Sequence, residues 1–163
     1  MEKLKVEKII IGKQFESCEN LEKFQKMVSD LKINVIIVET EDRLNIEKNL
    51  YFDFLWPDSS NVISENSINN NAIVCKFYYK NFSVLFTGDI EEEAEKVLVS
   101  KYRGTDILKS TVLKVAHHGS KSSSIREFLD LVKPKIALIG VGENNKFGHP
   151  NSGVIERLDG LRS

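Results

Sequence analysis

The sequence predicts a mixed α+β domain built around one core. Three observations predict it: strand–helix–strand patterning near the start, two aromatic-rich segments flanking Lys80-Asn81, and a last third where short apolar strands alternate with helices. A chain of 163 residues, 41% hydrophobic and 29% charged, suits one core and leaves little for a second.

The elements follow in order. Val6 to Ile11 is rich in β-branched residues, closes at Gly12 and predicts a strand. Ser17 to Asn20 offers helix-capping side chains. Leu21, Phe24, Val28 and Leu31 then recur on one helical face. Ile33 to Val38 is a second strand, so residues 1–57 read as a βαβ-like lead-in. Tyr51 to Trp56, aromatic on both faces, predicts a buried strand ending at Pro57. Asp58 to Asn71 is a Ser- and Asn-rich loop, long enough to suggest function or disorder.

Ala72 to Tyr79 and Phe82 to Phe86 predict a hairpin. Glu91, Glu92 and Glu93 suit the positive end of a helix starting near Ile90. Thr111 to Ala116 is strand-like. Ser122 to Ser124 are predicted to cap a helix carrying Ile125, Phe128, Leu129 and Val132, stopped by Pro134. Ile136 to Val141 predicts another buried strand, and Pro150 a last helix with Val154, Ile155 and Leu158.

Lys and Arg number 23 against 24 Asp and Glu, so no strongly basic footprint for nucleic acid is present. A local basic groove fits within a neutral total, so DNA is not excluded. Cys18 and Cys75 are not spaced as a metal or redox motif and are expected to be reduced. No apolar run approaches the roughly 20 residues that cross a bilayer. The first residues lack a signal-peptide pattern, and a cytoplasmic location is the expectation.

Three places carry residues suited to chemistry. Asp89 follows Thr87-Gly88 at a strand end, where it serves either as a metal ligand or as a plain helix cap. His117-His118 end another strand; in extended geometry they point in opposite directions. The run Gly119 to Ser124 supplies hydroxyls and amides at a helix start, which suits an anion such as phosphate. A capped turn with solvent-facing histidines is the bland alternative. His149 lies after the next strand, so all three histidines fall in the last third, each ahead of a helix. Taken alone, these residues suggest a divalent-metal site with a phosphate-friendly loop.

Four segments together, Asn69–Val74, Phe82–Glu91, Leu113–Ser120 and Val141–Pro150, resemble the back half of ComEC-type metallo-β-lactamase domains in the family's order. The resemblance spans residues 69–158, the motif-bearing region, and extends more loosely over 5–57. It implies an αββα sandwich with a metal site at one edge of two sheets, of which this chain would be the C-terminal half, one partial domain over 1–163. It implies that Asp89 bridges zinc or manganese ions and that His149 is a late metal ligand. By analogy with related phosphodiesterases such as RNase Z, it implies catalytic roles for His117 and His118. His117 is read as the phosphate-facing proton donor and His118 as its support. Gly119, Ser120 and Asn71 are assigned to phosphate or substrate.

The family reaction is metal-dependent phosphodiester hydrolysis, with DNA taken up in competence as the expected substrate. This chain departs from the pattern in having no histidine before His117, and so lacks the early H-x-H-x-D-H or H-x-D-x-D-H motif. A catalytic zinc needs three protein ligands. The expectation is therefore an incomplete metal site, weak or inactive alone, and an exposed sheet face or edge. Two alternatives stand beside it: a non-catalytic module or subunit completed by another polypeptide, such as a front half, and a phosphoesterase resembling phosphorylcholine esterases.

Overall fold

The computed structural model describes residues 6–13 and 19–162. The cap expected at Ser17 and the thiol of Cys18 lie outside them. Strand β1 (Lys8–Gly12) and strand β2 (Asn34–Val38) pair in parallel, Lys8 opposite Asn34 and Gly12 opposite Val38. Helix α1 (Glu19–Asp30) makes the crossover, as a parallel pair requires. Val28 of the predicted apolar stripe is buried, whereas Leu31 lies past the helix end and is exposed.

A second sheet has six strands in the order β3-β4-β5-β6-β7-β8. They are β3 (Arg43–Glu47), β4 (Leu50–Trp56), β5 (Val74–Tyr79), β6 (Phe82–Phe86), β7 (Val112–Lys114) and β8 (Ile136–Leu138). The first four pair antiparallel; tight turns in which Asn49 and Lys80 take left-handed conformations join β3 to β4 and β5 to β6, and a longer connection over residues 57–73 joins β4 to β5. The last three run parallel, joined by helices α3 (Glu92–Tyr102) and α4 (Arg126–Val132). A short helix α2 (Ser67–Asn70) breaks the predicted loop, and α5 (Ser152–Asp159) closes the fold. Strand β3 has no counterpart among the sequence expectations: its alternation Arg43-Leu44-Asn45-Ile46-Glu47 is mostly exposed and too polar to stand out.

The two faces of this sheet differ. Register places Lys76, Leu85 and Leu113 side by side, all buried in the core that α3 and α4 complete with Ala94, Leu98, Phe128 and Leu129. Even Lys76 is accommodated there, because its ammonium donates to the carbonyls of Ile107 (2.8 Å) and Lys109 (2.6 Å). On the opposite face the row Phe86, Lys114 and Leu138 includes two exposed apolar side chains, and Ile136 is also exposed. The expectation of a buried strand at Ile136 to Val141 is thus corrected. Only Ile136–Leu138 are strand, all three exposed, because β8 is the sheet edge and nothing among the described residues covers its second face.

Candidate metal and phosphoester site

The site forms where the parallel strands β6, β7 and β8 end. Beyond β6, the buried Thr87 hydroxyl donates to the Lys114 carbonyl at 2.6 Å. Gly88 then turns with φ +55°, and a Cβ there would stand 3.1 Å from both Ala72 Cβ and the Ile73 carbonyl oxygen. Only glycine makes that turn without strain. The Gly88 carbonyl accepts from the His117 amide and from the Lys114 ammonium, both at 3.1 Å, which stitches the ends of β6 and β7 together.

The histidine pair does not continue the strand. His117 (φ 45°, ψ 43°), His118 (φ 55°, ψ 22°) and Gly119 (φ +79°) form a tight left-handed turn. Their side chains therefore diverge for a different reason than the pleat. Non-glycine residues in this region cost about 1 kcal/mol or more each, so the surrounding hydrogen bonds hold the turn.

His118 turns toward Asp89. Its Nδ1 lies 2.6 Å from the Gly140 carbonyl oxygen, a contact that requires Nδ1 to carry the proton. The other ring nitrogen, Nε2, stands 3.6 Å from Asp89 Oδ1. The Lys114 ammonium is 3.8 Å from the same oxygen. His117 turns the other way: Nδ1 is 3.1 Å from Glu91 Oε1, and the atom is buried without an aligned hydrogen-bond partner.

Glu91 is itself fixed from three sides. Its carboxylate accepts from Ser122 Oγ (3.0 Å) and Asn66 Nδ2 (2.8 Å), and its amide donates to Asn70 Oδ1 (3.0 Å). Burial alone would raise this carboxyl, but the hydrogen bonds from Asn66 and Ser122 outweigh burial and hold it below the usual range. His149 stands edge-on to the His117 ring at 5.8 Å and stacks against Phe147. Its loop is clamped by Asn145, whose side chain bonds the His149 amide (3.0 Å) and carbonyl (2.8 Å).

The expected phosphate loop is occupied from within. Ser120 donates its amide to the His117 carbonyl at 2.9 Å, and its hydroxyl lies 3.0 Å from that of Ser122. The Ser123 hydroxyl lies 3.0 Å from the carbonyls of Ala116 and Ser120. The amides of Ser124 and Ile125 at the start of α4 donate to Glu95 Oε1 and Oε2 at 2.6 and 2.7 Å. The amides at this helix start are already taken, by the chain's own buried Glu95 carboxyl group. The Ser122–Ser124 side chains therefore do not cap α4. Gly119 contributes its carbonyl to the Asn151 amide (2.8 Å) and its missing side chain to Pro150, since a Cβ would come within 2.8 Å of Pro150 Cβ. Asn71 is a loop-fixing residue: its amide bonds Ile63 twice and the Ser67 carbonyl once, leaving no donor for a substrate.

Asp89, His117, His118 and His149 thus gather in one neighbourhood, as two touching pairs rather than one shell. Oδ1 of Asp89 and Nε2 of His118 are separated by close to the ~3.4 Å expected of two tetrahedral zinc ligands at about 2.1 Å each. The chemistry of that pair fits a divalent cation. The full donor set does not, because no group of three His, Cys, Asp or Glu side chains among the described residues is placed to hold one. Sequence reading missed Glu91, hidden in an acidic run that also suits a helix dipole, and Lys114, hidden within a strand.

Comparison with known proteins decides the family. Residues 69–143 match the model of the metallo-beta-lactamase superfamily. The chain is 34% identical over 94% of its length to "ComE operon protein 3" of Bacillus subtilis (strain 168). It carries a ComEC-type metallo-β-lactamase domain. Similarity extends to "Competence protein ComA" of Neisseria gonorrhoeae, 36% identical over 66% of this chain, and to "Recombination protein 2" of Haemophilus influenzae, 34% identical over 70%. The chain spans 19%, 15% and 14% of the lengths of these three relatives. The mixed α and β content agrees with the α+β class of the superfamily. No helix among the described residues is long and apolar enough to cross a membrane.

Proposed function

We infer that this chain is part of a metal-dependent phosphodiester hydrolase of the ComEC competence type, weak or inactive by itself. The convergence of Asp89, Lys114 and the three histidines at the ends of neighbouring strands carries this reading. Asp89 and His118 are the pair suited to a zinc or manganese ion, and His149 keeps the ligand role implied by family likeness. His117, with Nδ1 3.1 Å from Glu91 Oε1, is the group suited to hand a proton to a departing alkoxide. Lys114 supplies positive charge beside a bound phosphate. The names of the competence relatives support DNA as the substrate.

The short donor set supports completion by another polypeptide segment bearing metal ligands. The exposed apolar face of Phe86, Ile136 and Leu138 supports the same reading, since such a face is suited to burial against a second sheet. Titration calorimetry with manganese and zinc, alongside hydrolysis of a DNA oligonucleotide, tests both parts. The chain alone should bind metal weakly and turn over near background. Adding a front-half segment that carries the early histidine motif should restore both. In the restored form Asp89→Ala should lose metal and activity together, whereas His117→Ala should keep metal and lose turnover. Full activity and two tightly held metals in the chain alone would overturn the need for completion. A restored assembly that neither binds metal nor cuts DNA would make the cluster a relic in a non-catalytic module.

A further inference from the structure

Two apolar side chains are far more exposed than any others among the described residues: Phe147 at 82% and Ile68 at 80%. Both belong to segments anchored on the site. Ile68 lies in α2, whose flanking Asn66 and whose Asn70 bind Glu91. Phe147 lies in the loop clamped by Asn145, two residues before His149. Glu91 and His149 both abut His117. Each exposed apolar group thus lies in a segment fixed to a direct neighbour of His117, the imidazole suited to proton transfer.

The Phe147 ring is not a loose surface group. It stacks on the His149 imidazole, with centroids 5.8 Å apart and planes within 21°. Asn145 pins the backbone that carries both rings. The benzene ring is therefore in offset contact with the His149 imidazole, while most of its surface is open to solvent. Holding a large apolar ring in water is unfavourable unless something covers it. A flat partner that can stack is the matching chemistry, and Lys146 beside it is exposed and cationic.

We propose that Phe147 is a stacking platform for a nucleobase next to the phosphate handled at His117, with Ile68 as an apolar contact on the opposite side. The proposal rests on the phosphodiester reading and narrows its substrate to strands that carry bases. Phosphoesters without an aromatic group gain nothing from this ring. Stacking on an aromatic side chain is tolerant of base identity, so the platform confers preference for unpaired strand over duplex rather than for a sequence.

The test compares binding of a labelled single-stranded DNA oligonucleotide with an abasic strand of equal length, by fluorescence anisotropy on the full chain without metal. The native protein should prefer the base-bearing strand by about tenfold or more. Phe147→Ala should bring the two affinities together, Phe147→Leu should recover little, and Phe147→Trp should restore the preference. Ile68→Ala should reduce it less. Asp89→Ala, which removes the proposed chemistry, should leave the ratio unchanged, so failure of hydrolysis and failure of stacking read out separately. Equal affinities in the native protein, absence of binding to both strands, or a preference that survives Phe147→Ala overturns the platform. A Phe147→Ala variant that alters sedimentation and leaves the ratio unchanged would instead make this ring a protein contact.

Discussion

Asp89 and Glu95 are carboxylates six residues apart, yet they occupy opposite environments. Glu95 has no exposed surface, and both its oxygens accept backbone amides at the start of α4. The Asp89 side chain is 44% exposed, and its nearest partners, Lys114 and His118, stand at 3.8 and 3.6 Å, beyond hydrogen-bond length. The buried carboxylate has every acceptor engaged within the fold. The open one keeps capacity for something from outside. The contrast separates a carboxyl group that maintains structure from one available for chemistry, a distinction that residue type alone does not make.

Substitution sharpens that contrast most at Glu95. Glu95→Ala leaves the Ser124 and Ile125 amides unmatched in the core, so unfolding free energy should fall by about 3 kcal/mol in urea titrations. A loss below 1 kcal/mol would show that α4 does not depend on this cap.

The pH dependence follows from the same burial. Desolvation pushes the Glu95 carboxyl up to about 7 from 4.5, against the pull of the Ile125 and Ser124 amides and the Arg157 charge. The folded chain therefore holds a proton that the unfolded chain releases near pH 4.5. Stability from this group is fully present below pH 4.5 and is lost as pH rises toward 7, a change on the order of 3 kcal/mol. The difference in stability between native protein and Glu95→Gln should shrink across that window. A constant difference from pH 5 to 8 would contradict it.

A smaller effect is expected between the two regions, at Gly119. Gly119→Ala places a methyl against Pro150 at a left-handed backbone position and should cost about 2 kcal/mol. Because Pro150 adjoins His149, the His149 imidazole resonances should shift in NMR spectra, while a remote destabilising change would leave them in place. Smallest of all, Asp89→Ala should alter the melting free energy by no more than about 0.5 kcal/mol. A large loss there would erase the proposed division between the two carboxylates.

Much of the architecture is legible locally. The β1-α1-β2 unit, the hairpin over Lys80-Asn81 and the helices following Asp89 and Ser124 carry apolar periodicity or turn residues within a few positions of one another. The four motif segments likewise identify their family through residue order. Other features leave no such trace. Arg43–Glu47 pairs as a strand because Leu50–Trp56 lies beside it, and its own composition is largely that of a surface loop. The serine run 122–124 has the composition of a helix cap, but a carboxylate some thirty residues earlier takes the amides.

By itself, then, the amino-acid order determined the class, most of the elements and the neighbourhood in which the chemistry-bearing residues fall, since these depend largely on contacts between near neighbours along the chain. Tertiary structure alone decided that His118 faces Asp89 while His117 faces Glu91, that Ser120 and Asn71 are engaged internally, and that one sheet face stays open. Those outcomes depend on backbone dihedrals and on hydrogen bonds between residues distant in sequence, which become defined only when the strands have been brought side by side.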